Sequence, residues 1–242
     1  MSAAKAVAVV CYLVALGGTA AFAGLVLLLG LDLRPDPVSL AHPWFINVGW
    51  LLVFGLQHSG MVRAGWKRVW TRVVPSHLER SVYAALSGLI LAGMALTWQP
   101  LVGDPAWCAP RGLVVLPLMA AVGLAWVSLR FDHLGLFGIR QAWEQGREPA
   151  ADHLLVVGPY RFVRHPLMAC LLAFLWTQPV MPPALLLLSG GLTAYILLGV
   201  LLEERDLRRR FGPAYADYRR RVPMFLPWRR PAPPATYRGE SA

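Results

Sequence analysis

Uncharged apolar runs divide this chain into candidate helices. A helix rises 1.5 Å per residue, so about 20 apolar residues cross the ~30 Å hydrocarbon core of a bilayer. Six runs come near that length: Ala6–Leu31, Trp44–Met61, Ser81–Trp98, Leu113–Leu129, Pro166–Val180 and Ala184–Leu202. The fifth run is the shortest, and only Met181-Pro182-Pro183 separates it from the sixth. The pattern predicts an all-α, polytopic integral membrane bundle of about six spans, with five as the alternative.

The composition is typical of a membrane protein. Of the 242 residues, 57% are hydrophobic and 15% are charged, whereas soluble domains carry about 25% charged residues. The chain is too apolar for disorder, and its three cysteines are too few for a disulfide scaffold. The formal net charge of +10 is compatible with nucleic-acid binding, but in an apolar chain it more often marks cytoplasmic loops.

The basic residues indicate an orientation. With six spans, 21 of the 23 Lys and Arg residues fall on one side of the membrane and two on the other. By the positive-inside rule the rich side is cytoplasmic, and it includes both termini and a C-terminal extension. The cytoplasmic placement of the basic residues then accounts for the net positive charge, so no nucleic-acid partner is expected. As a membrane protein, the chain is expected to contact lipid.

Three polar segments fall on the predicted cytoplasmic side: 57–59, 158–166 and 203–223. His58 either bonds a neighbouring helix or belongs to a site, and Arg164-His165 is either a basic flank or part of a site. Glu203-Glu204 is harder to explain structurally, because it follows 19 uncharged residues at the predicted end of a helix, where negative charge opposes the helix dipole. Arg208 can compensate Glu204 from position i+4, and a cationic ligand is the alternative.

The last third of the chain shows a helix break and a restart. Gly212-Pro213 predicts the break, and a short helix from Ala214 to Val222 places Tyr215 and Tyr218 on one face. That helix either lies on the membrane or folds back over a cytoplasmic cavity. The Pro-rich residues 229–242 are expected to be a disordered tail.

Several familiar motifs are absent from the sequence. No Gly-x-Gly-x-x-Gly follows a strand and no Walker loop occurs, so a Rossmann or P-loop nucleotide site is not predicted. The six histidines are scattered, without His-x-x-x-His or Cys-x-x-Cys spacing, so no metal site is predicted.

The remaining motifs resemble those of the isoprenylcysteine carboxyl methyltransferase superfamily, integral membrane enzymes that use S-adenosylmethionine (SAM). The motifs are Gly158-Pro159-Tyr160, Val163-Arg164-His165-Pro166, Glu203-Glu204, and Phe211-Gly212 with Tyr215, Tyr218 and Arg221-Val222-Pro223. The resemblance implies one methyltransferase domain over residues 1–228, with its SAM-binding part at 158–223. Upstream segments are similar to the bacterial methanethiol S-methyltransferases and to the denitrification-associated NnrU membrane proteins: Leu56-Gln57-His58-Ser59, Trp66-Lys67-Arg68 and Leu136–Gln141.

The resemblance implies methyl transfer from SAM to a small thiol. Methanethiol is the leading candidate for the acceptor, and dimethyl sulfide would then be the product. The cofactor-binding residues that it implies are Tyr160, Arg164, His165, Pro166, Glu203, Glu204, Tyr215 and Tyr218. An arginine and a histidine can hold the SAM carboxylate, and a glutamate can bind its α-ammonium group or ribose hydroxyls. Tyrosine rings can wall the adenine or face the sulfonium cation.

The acceptor thiol must ionise to react well. Even a cysteine thiol has a pKa of ~8.5, so a base or a cationic site is needed. His58 is the first candidate for the base, and the candidates for stabilising the thiolate are Arg80, Arg140 and Arg221.

Other functions remain open at this stage. A related methyltransferase could act on an isoprenylcysteine-like carboxylate, a lipid amine or another thiol. A non-catalytic NnrU-like membrane protein or a small transporter would bind no SAM. For the enzyme we expect a bacterial inner-membrane location with a cytoplasmic active site.

Overall fold

Helices dominate the protein. The computed structural model of the chain describes residues 2–33, 42–130, 132–144 and 153–238. The α-helices in these ranges are α1 Ala3–Gly30, α2 Pro43–Val62, α3 Ala64–Trp70, α4 Glu79–Thr97, α5 Val115–Arg130, α6 His133–Leu136, α7 Ile139–Trp143, α8 Pro166–Trp176 and α9 Pro183–Arg221. Short 3-10 turns lie at Ser76–Leu78, Arg111–Val114 and Gly158–Arg161. One antiparallel strand pair joins β1, His153–Val156, to β2, Ala235–Arg238. The predicted all-α membrane class is confirmed.

Five helical segments in the described ranges are long and apolar enough to cross a membrane: Ala3–Gly30, Pro43–Val62, Ser76–Thr97, Arg111–Arg130 and Pro183–Arg221. The fifth predicted run contributes only α8, whose 11 residues are too few for a ~30 Å core. Pro166 opens α8, where its missing N–H group costs no helical hydrogen bond. Five of the described helices are therefore long enough to cross alone, and in the fifth predicted run the shorter α8 is followed by the non-helical residues 177–182.

The chain divides into two compact units, which are described separately. The first unit consists of Met1–Val114, Asp132–Glu148 and Gln178–Leu192, within the described ranges. In this unit both α1 and α2 pack against α4. A β-carbon on Gly18 would overlap the carbonyl oxygen of Gly88, and a β-carbon on Gly88 would lie 2.6 Å from Ala15 Cα. The two glycines therefore set the close approach of α1 and α4, as small residues do in membrane helix pairs.

A buried amide aligns α2 with the end of α4 in the same unit. Asn47 Nδ2 donates to the Gln99 carbonyl oxygen at 2.9 Å, and the Gln99 amide donates to Asn47 Oδ1 at 2.8 Å. Trp50 Nε1 lies 2.7 Å from Thr97 Oγ1 one turn further along α2. These bonds show that α2 and α4 run antiparallel, because the start of one helix meets the end of the other.

The second unit consists of Val115–Phe131, Pro149–Thr177 and Thr193–Ala242, within the described ranges. Here α5 packs against α8. The helix α9 breaks at Gly212, whose φ of 47° and ψ of −125° are not helical, and it resumes through Arg221. The predicted break is confirmed. Beside it lies a buried cluster formed by Val156, Phe211, Tyr215, Tyr218, Val222 and Ala232.

The chain beyond α9 is held against the second unit. Ala232 donates its amide to the Arg161 carbonyl oxygen at 2.9 Å, and Arg161 Nε donates to the Ala232 carbonyl oxygen at 2.6 Å. The strand β2 then pairs with β1. Residues 229–238 thus differ from the disordered tail expected for 229–242, because their partners come from distant parts of the sequence. Residues 239–242 lie outside the described residues.

The glycine contact between α1 and α4 can be tested with two neighbouring variants. Gly18→Ala forces a methyl group into the Gly88 backbone, so we expect a loss of stability of about 1–3 kcal/mol. Gly17→Ala is the matched control, because nothing lies within 4 Å of its added β-carbon. The measurement is thermal unfolding of the purified protein in detergent. Equal melting temperatures for both variants would contradict the close crossing.

Candidate functional site

A buried ion pair joins α9 to the segment before α8. Arg164 Nε and Nη2 lie 2.7 and 2.6 Å from Glu204 Oε1, and the two side chains are only 7% and 3% exposed. Arg164 Nη1 also donates to the Val222 carbonyl oxygen at 2.5 Å and lies 3.4 Å from the Arg219 carbonyl oxygen. Each guanidinium nitrogen therefore has an acceptor, which offsets the cost of removing this charge from water.

Two further side chains complete the surroundings of Glu204. His165 Nε2 lies 3.3 Å from Oε1, and Arg219 Nε lies 3.2 Å from Oε2. Oε1 therefore has Arg164 and His165 as partners, and Oε2 forms an ion pair with Arg219. Arg164, His165 and Arg219 with Glu204 are called the Glu204 cluster below.

The helix α9 continues past Glu204 to Gly212. The expectation that Glu204 ends a helix, and so opposes its dipole, was therefore wrong. Arg208 Nε donates to the Glu204 backbone carbonyl oxygen at 3.3 Å. The carboxylate is instead stabilised by residues distant in sequence, and the i+4 neighbour is not its partner.

Glu203 lies in a different environment from its neighbour. Its side chain is 58% exposed, and its Oε2 lies 3.6 Å from His165 Nδ1. Adjacent helical residues point about 100° apart, because a turn contains 3.6 residues. One carboxylate therefore faces the buried cluster while the other remains accessible.

Three tyrosines of the second unit, Tyr160, Tyr215 and Tyr218, lie near the two glutamates or contact one another. The Tyr215 and Tyr218 rings are 5.9 Å apart, and the Tyr218 hydroxyl donates to the Tyr160 carbonyl oxygen at 2.8 Å. Tyr215 is 1% exposed, and its buried hydroxyl has no hydrogen-bond partner among the described residues. Burial, together with the negative charge of Glu203, raises the pKa of Tyr160, so this phenol stays protonated at neutral pH.

The backbone after α9 fixes the segment that carries Arg164 and His165. The Arg164 amide donates to the Pro223 carbonyl oxygen at 2.9 Å, and the His165 amide donates to the Met224 carbonyl oxygen at 3.2 Å. Pro166 follows directly and begins α8. The two side chains are thus positioned by the chain beyond α9 as well as by Glu204.

The first unit contains a separate cavity of about 330 Å³ between α1, α2 and α4. Its lining residues include His58 and Arg80, which the sequence analysis nominated, and Lys67 and Glu79, which it did not. Lys67 Nζ lies 3.5 Å from the buried Glu79 carboxylate. Arg80 Nε donates to the Leu136 carbonyl oxygen at 3.4 Å.

His58 is held within a polar and aromatic group. Its Nδ1 lies 3.4 Å from Ser87 Oγ, and the same Oγ lies 3.1 Å from Gln57 Oε1. The ring stacks on Phe54 at 5.1 Å and approaches Tyr83 at 5.2 Å. The imidazole therefore presents a fixed ring to the cavity.

The other two arginines nominated for the thiolate have carboxylate partners. Arg140 pairs with Asp132 in the first unit. Arg221 Nη2 lies 2.9 Å from Asp217 Oδ2 in the second unit, and its side chain is 54% exposed. Neither arginine lines the cavity that contains His58 and Arg80.

Sequence reasoning missed Arg219 of the Glu204 cluster and selected Arg221 from the same basic run. Helical spacing could have identified Arg219, because it lies at i+4 from the nominated Tyr215 and therefore on the same face of the helix. Glu79 was also missed, although it stands beside the nominated Arg80. Within the described ranges, no group of three or more metal-ligating side chains is assembled.

Sequence comparison finds curated relatives over most of the chain. Methanethiol S-methyltransferase 2 of Bradyrhizobium diazoefficiens is 37% identical over 199 residues, which cover 79% of this chain and 76% of that protein. Methanethiol S-methyltransferase of Mycobacterium tuberculosis is 40% identical over 196 residues, covering 76% and 78%. Human nurim is more distant, at 29% identity over 184 residues and 70% of each chain. No protein-family profile and no solved structure matches this chain.

The two adjacent glutamates are expected to differ in their effect on stability. Glu204→Gln removes the charge that Arg164 and Arg219 neutralise, so we expect a loss of about 3–5 kcal/mol. Glu203→Gln removes the same charge from an exposed side chain, and a change within about 0.5 kcal/mol is expected. Thermal unfolding in detergent measures both. A larger loss for Glu203→Gln would contradict the assignment of the buried partner.

Proposed function

Because this chain belongs to the methanethiol S-methyltransferase family, we propose that it methylates methanethiol with SAM and releases dimethyl sulfide. When bound, SAM supplies an electrophilic methyl group on a sulfonium sulfur. One observation in the second unit carries the proposal: the accessible Glu203 carboxylate lies beside the Glu204 cluster, whose charges already have protein partners. Glu203 can therefore accept bonds from a ligand, and the cluster holds it in place.

The residues present fit the chemistry of SAM. Glu203 is the carboxylate available to the α-ammonium group or the ribose hydroxyls, since Glu204 is buried and its charge is paired with Arg164 and Arg219. Arg219 is 37% exposed and keeps donors for the SAM carboxylate. Tyr160 is half-buried and offers an aromatic face, whereas Tyr215 and Tyr218 are buried and support the site from the core of the unit.

Arg164, Glu204, His165 and Pro166 serve this site by positioning other groups. The three guanidinium nitrogens of Arg164 already have protein acceptors, so we assign it to the scaffold rather than to the SAM carboxylate. His165 lies between the two glutamates, 3.3 Å from one and 3.6 Å from the other, and aligns Glu203. Pro166 starts α8 immediately after this pair.

The acceptor is assigned to the cavity of the first unit. His58 accepts the thiol proton there as general base, and Arg80 stabilises the resulting thiolate. SAM would supply the methyl group that this thiolate takes, and its sulfur would keep the electron pair of the broken carbon–sulfur bond. Arg140 and Arg221 are expected to contribute less than Arg80 to stabilising the thiolate, because Asp132 and Asp217 neutralise their charges.

The protein is an integral membrane protein, and we propose that its termini and active site face the cytoplasm of a bacterium. The support is the distribution of charge, with 21 of 23 basic residues on one side of the predicted topology. SAM is made in the cytosol, so this orientation gives the donor-binding residues access to it.

The direct test supplies SAM and methanethiol to membranes that carry the protein and measures dimethyl sulfide by headspace gas chromatography. We expect product with the unmodified protein, and Glu203→Gln to weaken SAM binding about 10- to 100-fold, the range for a lost charge-assisted hydrogen bond. Calorimetry gives the SAM affinity. Asp206→Asn is the control for lost charge, because its carboxylate is 71% exposed and lies 3.9 Å from Arg209. Product formation without SAM dependence would refute the proposal.

The role of His58 as base predicts a pH-dependent defect. His58→Gln is expected to lower kcat about 10²- to 10⁴-fold near neutral pH while SAM affinity is unchanged. The defect should shrink as the pH rises toward the pKa of the thiol, because the unassisted thiol then ionises. His42→Gln, at the start of the same helix, controls for the loss of an imidazole. A defect of constant size at every pH would exclude His58 as the base.

A further inference from the structure

The cavity of the first unit is much larger than methanethiol. It measures about 330 Å³, which is within the ~300–1,000 Å³ range of pockets that hold drug-sized ligands. A water molecule takes up about 30 Å³ of liquid, so a thiol of two non-hydrogen atoms needs roughly 60 Å³. Most of the cavity would stay unfilled around methanethiol.

The lining residues on α4 show that the cavity is elongated. They run from Glu79 to Leu91, which corresponds to about 18 Å of helix at 1.5 Å per residue. Glu79 and Arg80 stand at the beginning of this stretch, where Lys67 pairs with Glu79. Ser87, the neighbour of His58, stands about two-thirds of the way along.

Beyond His58 the lining is mostly apolar, and the hydroxyl of Thr19, which also lines the cavity, already donates to the Ala15 carbonyl oxygen at 2.8 Å. Leu91 lies one helical turn past Ser87, about 6 Å further along α4. Because α2 runs antiparallel to α4, Phe54 lies one turn from His58 toward the same end. Gly88 also lines this part and presents no side chain. The charged lining residues are at the opposite end, so this compartment favours a hydrocarbon group.

We infer that the acceptor site takes alkanethiols longer than methanethiol, with the sulfur beside His58 and the alkyl chain extending along Leu91 and Phe54. This inference rests on the proposed function, because it extends the acceptor class of the same site. The chemistry is unchanged. The thiol proton passes to His58, the sulfur bonds to the methyl carbon, and the bonding electron pair remains on the donor sulfur.

Burial of a methylene group is worth about a fourfold gain in binding. Propanethiol has two more methylenes than methanethiol, so we expect its kcat/KM to exceed that of methanethiol by about 15-fold, mainly through a lower KM. The product, methyl propyl sulfide, is measured by headspace gas chromatography in the same assay.

Two variants of α4 locate the alkyl chain. Leu91→Phe narrows the apolar compartment, and we expect the propanethiol to methanethiol ratio of kcat/KM to fall at least fivefold. Leu89→Phe is the matched control, because Leu89 is 56% exposed and does not line the cavity. We expect it to leave the ratio unchanged.

The outcomes separate this inference from the proposed function. A ratio below one, with methanethiol still methylated, would overturn the inference and leave the proposed function standing. A high ratio that Leu91→Phe does not change would overturn the placement of the chain. If neither thiol is methylated in the presence of SAM, the proposed function fails and the inference fails with it.

Discussion

The second unit depends on one buried carboxylate. Glu204 follows a long uncharged stretch of α9, and an ionised carboxylate without partners in such surroundings is strongly unfavourable. Arg164 and His165 offset that cost from the segment before α8, and Arg219 does so from the part of α9 beyond its break at Gly212. The charge of Glu204 therefore holds the segment before α8 and the part of α9 beyond Gly212 against the first part of α9.

This arrangement separates the roles of two adjacent residues with the same chemistry. A rotation of about 100° directs Glu204 into the cluster and leaves Glu203 exposed. The buried carboxylate is closed off from solvent and its charge is already paired, whereas the exposed one is accessible to a ligand. The break at Gly212 matters here as well, because it turns the rest of α9 so that Arg219 and the Val222 carbonyl oxygen reach Glu204 and Arg164.

The first unit is organised by small residues rather than by a buried ion pair. Gly18 and Gly88 let α1 and α4 approach closely, and Ala15, Ala84 and Gly88 leave space beside the crossing. The bulky rings of Phe54, Tyr83 and Phe137 do not fill that space but form its walls. Close packing and an open cavity therefore arise from the same short stretch of α4, with His58 placed against it by α2.

The sequence alone determined the helical membrane class, the break at Gly212 and the family, because apolar run length, Gly-Pro backbone chemistry and motif spacing are local properties. It also nominated the residues of the Glu204 cluster, except Arg219. Only the tertiary structure decided that Glu204 is buried and Glu203 exposed, that α8 is short, and that the tail pairs with β1. These features depend on contacts between residues far apart in the chain, and neither spacing nor composition specifies which distant groups meet.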